Sequence, residues 1–218
     1  MQRQLFSLGF ITLLSILFTV STHAALILPT KSIEGLDLTW GQTESNSIQA
    51  FNEVQNTHIN AKTINVDYLV GQNVFIGQKF TGVRHSKSNL YLSEGNYSSH
   101  LLHFDPFNDR SGNTDKLRFE FTDTIVAIIL GGEYLNLSDH LLGNTNTLYE
   151  KSISRRMETH DRFILENTNT LLVDKVSVGR YWIDDARIIT QNVPEPSAWA
   201  IFIIGLICLF GARKLTKH

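Results

Sequence analysis

His100 and His103 sit three residues apart in the segment HLLH, and a metal site would call on them first. Residues three apart share a face on a helix but point to opposite sides of a strand. This stretch flanks an apolar strand pattern, so the two rings are expected not to meet at one ion. His58, His85, His140 and His160 occur singly. No two share the spacing that a zinc site uses. Surface or hydrogen-bonded histidines are the expectation.

The segment DRSGNTDKLRFE offers oxygen ligands instead. Asp109, Ser111, Asn113 and Asp115 alternate, and Glu120 falls where a twelve-residue calcium loop places its bidentate acid. The sixth position holds Thr114 in place of glycine, and Lys116 and Arg118 bring positive charge. A polar loop between strands accounts for the same residues. The expectation is therefore no metal and no cofactor, with Asp109, Asn113 and Asp115 as the nearest approach to a calcium site.

Paired carboxylates occur at Asp184-Asp185, and at Asp105 with Asp109. Adjacent strand residues face opposite sides, so Asp184 and Asp185 are not a glycosidase dyad in regular geometry. No nucleophile elbow and no phosphate-binding loop is present. The single cysteine, Cys208, lies near the C-terminus, so residues 25–190 hold neither a disulfide nor a cysteine nucleophile. Trp40, Tyr91, Tyr97, Tyr134, Tyr181 and Trp182 are available for a sugar-binding face. Core or scattered surface positions are the plainer reading of the same rings. These residues point to a protein that is not an enzyme.

The elements that must position these groups are strands. LDLTW would turn Leu36, Leu38 and Trp40 to one side, and KLRFEF would turn Leu117, Phe119 and Phe121 inward with Arg118 and Glu120 outward. TIVAIIL (124–130) reads as a fully buried strand ended by Gly131-Gly132. RFILE and TLLVD flank the turn NTN and read as a hairpin. RYWIDDARIIT (180–190) reads as a last strand bulged at Asp184-Asp185. One short helix fits LSDHLLG, with Ser138 as its N-cap and Gly143 beyond its end. Nine or ten strands without alternating helices predict an all-β fold, a β-sandwich of jelly-roll type over residues 25–190. That segment carries 15 Lys/Arg against 20 Asp/Glu, a net −5 that suits neither nucleic acid nor anionic lipid.

The ends differ from the middle. Arg3, the apolar run Leu5 to Val20 and the small residues of STHA form the layout of a signal peptide over residues 1–24, cut between Ala24 and Ala25 by signal peptidase. An uncleaved anchor shares that pattern. At the other end, residues 197–212 carry no charge and include eight Ile, Leu or Phe. As a helix they would extend about 24 Å, short of a hydrocarbon core of about 30 Å but workable as a single transmembrane span. Arg213, Lys214 and Lys217, in the basic end 213–218, would remain on the cytoplasmic side and leave the body outside. A buried helix would show an amphipathic stripe, and this segment has none. Pro194 and Pro196 hold Val193 and Glu195 extended just before it.

VPEPS, AWAIFIIGLICLFGA and RK together resemble the PEP-CTERM sorting signal of Gram-negative bacteria, here residues 191–218 with the motif Pro194, Glu195 and Pro196. SHLLHFDP, FTDTIVAIIL, SDHLLG and DDARIIT also look like the body of an uncharacterised group of such proteins. The resemblance implies recognition by exosortase, a membrane-embedded transpeptidase-like enzyme. It also implies cleavage near the triplet and transfer to the surface or an extracellular polysaccharide. The expected protein is exported across the inner membrane, transiently membrane-anchored, and non-enzymatic at the cell surface or in the matrix. A lectin-like module for exopolysaccharide and an anchored protein with an unprocessed tail are the alternatives.

Overall fold

The computed structural model describes residues 31–107, 112–114, 116–179 and 182–192. The signal segment 1–24, the tail from Val193 onward, and Asp109, Ser111, Asp115 and Tyr181 lie outside them. The described chain runs β1 (Lys31–Ser32), β2 (Asp37–Leu38), β3 (Gln49–Asn52), β4 (Thr57–Ile59), β5 (Asn65–Val66), β6 (Tyr68–Leu69), β7 (Lys79–Thr81) and β8 (Leu90–Tyr91). It continues through β9 (Gly95–Phe104), β10 (Gly112–Thr114), β11 (Leu117–Glu120), β12 (Thr124–Ile129), α1 (Gly132–Leu142), β13 (Leu148–Tyr149), β14 (Arg162–Leu165), β15 (Thr170–Val178) and β16 (Asp184–Gln191). Among the described residues the fold is all-β with one short helix. No described helix is long and apolar enough to cross a membrane.

Seven strands form the larger sheet, in the order β1-β3-β9-β16-β12-β6 with β4 also on β9. Five form the second, in the order β10-β15-β14-β7 with β11 also on β15. Both contribute to the largest core cluster, in which Leu102, Ala186 and Ile188 of the first meet Phe163, Leu171 and Val173 of the second. The opposite face of the larger sheet is covered as well. Tyr134, Leu135 and Leu142 of α1 pack with Ala127, Ile129 and Ile189, and Leu38 and Tyr149 pack with Phe51 and Leu101. The central strands β9, β12 and β16 are therefore buried on both faces, which explains the long apolar run of TIVAIIL.

The hairpin around NTN forms as expected, with β14 antiparallel to β15. Phe119 and Phe121 are buried while Arg118 and Glu120 are exposed. Two expectations about the strands are corrected. Among the described residues the ladders break into sixteen strands rather than nine or ten, two of the pairings being parallel. Asp184 and Asp185 stand in regular register opposite Phe104 and His103, without a bulge. The shift lies in β12, between Ile125 and Ala127. It reverses the alternation, so that Ile125 and Ile128 both face the second sheet.

The helix starts earlier than LSDHLLG implied, and Ser138 is interior to it. At the true start, Asp67 Oδ2 accepts the N–H groups of Leu130 and Gly131 at 2.8 Å. Gly132 passes so close to the next loop that a Cβ there would stand 2.3 Å from the Ile153 carbonyl oxygen. Strand and helix can join at this point only because the residue has no side chain. Ser138 instead donates to the Leu135 carbonyl and accepts from Arg187. Gly143 follows the last turn as expected, its N–H donating to Asp139 O.

Candidate functional site

The two histidines of HLLH do point to opposite faces of β9. His100 lies against Phe121, at 4.9 Å between ring centroids, and meets Asn52 Oδ1 at 2.7 Å and Thr190 Oγ1 at 3.2 Å. Burial pushes its pKa down to about 3, so it is neutral. His103 faces the other way and donates from Nδ1 to Asp185 Oδ1 at 2.7 Å. His58, His85, His140 and His160 are exposed. Among the described residues no group of three or more potential ligands could hold a metal ion. Gly112–Thr114 pair with β15, and Glu120 ends β11, so this part of the calcium-like stretch belongs to two strands.

The largest polar feature was invisible in the sequence. Behind β9 and β16, fully buried Arg187 makes a two-pronged contact with Glu53, Nε to Oε2 and Nη2 to Oε1, each 2.7 Å. Its Nη2 also reaches Asp139 Oδ1 at 3.0 Å. Arg155, equally buried, donates from Nη1 to Asp139 Oδ2 at 2.9 Å and places Nε 3.0 Å from Asp185 Oδ2. Lys151 closes on Asp139 at 2.8 Å. Tyr149 donates to Glu53 at 2.8 Å and sets its ring 5.5 Å from the Arg155 guanidinium and 5.7 Å from that of Arg187. Three cations face three carboxylates. Burial works against ionising Asp139, yet Arg155 and Arg187 outweigh it and hold that carboxyl below its ordinary range. Burial likewise opposes the charge on Arg187, and Glu53 outweighs it.

On top of this network lies a groove of about 190 Å³ lined by Trp40, Glu150, Ser152, Ser154, Arg155, Trp182 and Ile183. Trp40 and Trp182 are 38% and 41% exposed, enough ring to stack on a ligand. Hydrogen bonds join the residues of its bottom. Glu150 accepts the backbone N–H groups of Ser152 at 2.9 Å and Trp40 at 3.4 Å, and its carbonyl accepts from Arg155 at 2.8 Å. Of the aromatics singled out in the sequence, Trp40 and Trp182 line this groove together. Tyr97 and Tyr134 are buried, and Tyr91 is exposed on β8.

A second cleft, of about 310 Å³, is lined by Arg84, Arg156, Glu158, Thr159 and His160. Buried acids adjoin it. Asp161 accepts the N–H groups of Ser177 and Glu158, and burial pushes its pKa up to about 6. Asp184 is buried with no hydrogen-bond partner for either oxygen. Burial, then the charges of Asp161 and Glu158, raise its pKa well above the ordinary value. Asp184 and Asp185 thus serve different surroundings on opposite faces, as adjacent strand residues must.

An all-β body with a two-tryptophan groove is what the fold and the site define. No family model matches the chain, and no curated protein or solved structure matches it.

Proposed function

We propose that this chain is an exported, non-enzymatic protein of the cell surface or extracellular matrix whose body, a sandwich of jelly-roll type, binds carbohydrate. Its tail is a PEP-CTERM signal processed by exosortase. The groove at Trp40 and Trp182 carries the binding reading. Two exposed indoles beside a carboxylate and two hydroxyls match the apolar faces and hydroxyl edges of sugars. Orientation supports the same reading. Trp182 lies just before the first residue of β16, and the tail follows the last. Eight residues at about 3.3 Å each separate the two by roughly 26 Å. A tail held in the membrane therefore leaves the groove at the far end, toward the matrix.

Trp40→Ala and Trp182→Ala are each expected to weaken binding to extracted exopolysaccharide about tenfold without lowering Tm, since one aromatic stacking contact contributes on that scale. Binding that survives both changes eliminates the carbohydrate reading. Mass spectrometry of the mature C-terminus tests the tail. Residues beyond Pro194-Glu195-Pro196 should be missing in cells with exosortase and present in cells without it. An intact tail in both makes this a membrane-anchored protein without processing.

A further inference from the structure

We propose that the second cleft is an anion subsite, in which Arg84 and Arg156 hold the acidic group of a charged sugar. The inference rests on the carbohydrate reading and narrows it to acidic polymers.

The arginines themselves make the argument. Six are described, and Arg118, Arg155, Arg162 and Arg187 each lie within 4.0 Å of a carboxylate. The two left out of the ion pairs, Arg84 and Arg156, line one cleft together. Arg156 also holds its Nε out of water with no acceptor, and a buried donor without a partner is costly to keep. A guanidinium fork matches a carboxylate, or a sulfate ester, in two-pronged geometry. The other lining groups leave that position open. Glu158 is turned to His160, with Oε2 3.3 Å from Nε2. Asp161 is committed to the Ser177 and Glu158 N–H groups, while Asp184, buried beneath, feels the Arg156 charge but accepts no hydrogen bond.

The cleft and the groove are contiguous along the chain. Arg155 forms part of the groove and Arg156 part of the cleft, one peptide apart. The net negative charge of the body opposes a polyanion from a distance, but salt screens that effect beyond about 8 Å under physiological conditions. Contact with the two guanidiniums decides binding.

The test uses the full chain in detergent with three probes: polygalacturonate, its methyl-esterified form, and dextran sulfate. Arg84→Gln/Arg156→Gln is expected to weaken binding of the acidic probe at least about tenfold and leave the esterified polymer unaffected. Polygalacturonate or dextran sulfate, whichever responds, identifies carboxylate or sulfate as the group held. Wild-type affinity for both polyanions in the double variant, with Trp40→Ala still defective, overturns the subsite and spares the groove. Loss in the arginine variant alone, with the tryptophan variants unimpaired, does the reverse. An unchanged Tm in Arg84→Gln/Arg156→Gln keeps a folding defect from passing as lost binding, and Arg84→Lys/Arg156→Lys should restore part of the affinity.

Discussion

Arg187→Met is expected to lower the unfolding free energy by about 3–5 kcal/mol, the largest loss from any single change in the buried network. The side chain it removes faces Glu53 in two-pronged contact and touches Asp139, Ser138 and the Leu135 carbonyl. Methionine fills much of the space but leaves the Glu53 carboxylate in a site that water does not reach. Tyr149 and Ser99, which donate to Glu53 at 2.8 and 2.6 Å, cannot replace a full charge. Most of the loss is thus the cost of a stranded anion and not the net worth of the pair. Pairing the change with Glu53→Gln should recover a substantial part of it, because the double variant removes both charges. Urea unfolding of the two singles and the double measures the coupling directly. A single-variant loss below about 1 kcal/mol, or strict additivity, would refute this account of the network.

The second large effect is a dependence on pH. Asp161 and Asp184 both bind protons more tightly folded than unfolded, because burial disfavours their charged forms. Their contribution is fully present below the ordinary carboxylate pKa near 3.8. It is lost as pH rises through about 6 for Asp161, and Asp184, raised well above its ordinary value, acts in the same sense. For Asp161 the change from 3.8 to about 6 corresponds to roughly 3 kcal/mol, at about 1.4 kcal/mol per tenfold change in proton affinity. Asp139 behaves in the opposite sense, since its folded pKa is depressed and its stabilisation disappears only in stronger acid. The total curve mixes the two, so a difference is the cleaner observable. Asp184→Leu should gain stability relative to the wild type as pH rises from 4, whatever constant packing change it brings. Removing Asp184 also eases the ionisation of Asp161, which acts in the same direction. Urea midpoints measured across that range give the result, and parallel curves for variant and wild type would contradict it.

How much was legible beforehand depends on whether a pattern is local. KLRFEF alternates on a half-buried edge of the second sheet, and the NTN turn closes between neighbouring strands. Both follow from side-chain period and turn chemistry within a few residues, so both could be read directly. The opposite faces of His100 and His103 followed from the same rule. The helix start did not. Its position depends on Asp67, sixty-three residues before Leu130, and on how closely Ile153 approaches Gly132. The groove was half visible: six aromatics were candidates, and chain reversal alone determined that Trp40 and Trp182 would meet.

The sequence by itself determined an all-β body with buried runs such as TIVAIIL, because alternation and β-branched residues dictate strands wherever one face must leave water. Only the tertiary structure decided that β16 would be covered on both sides. A strand with one wet face can point its charges outward, and RYWIDDARIIT read only as a last strand bulged at Asp184-Asp185. In a central strand no outward side exists, so Asp185 and Arg187 had to find partners on other elements, Arg187 reaching Glu53 across 134 positions of chain. Electrostatic pairing of that range leaves no periodic trace, since the charges are matched through space and only after the sheet has closed.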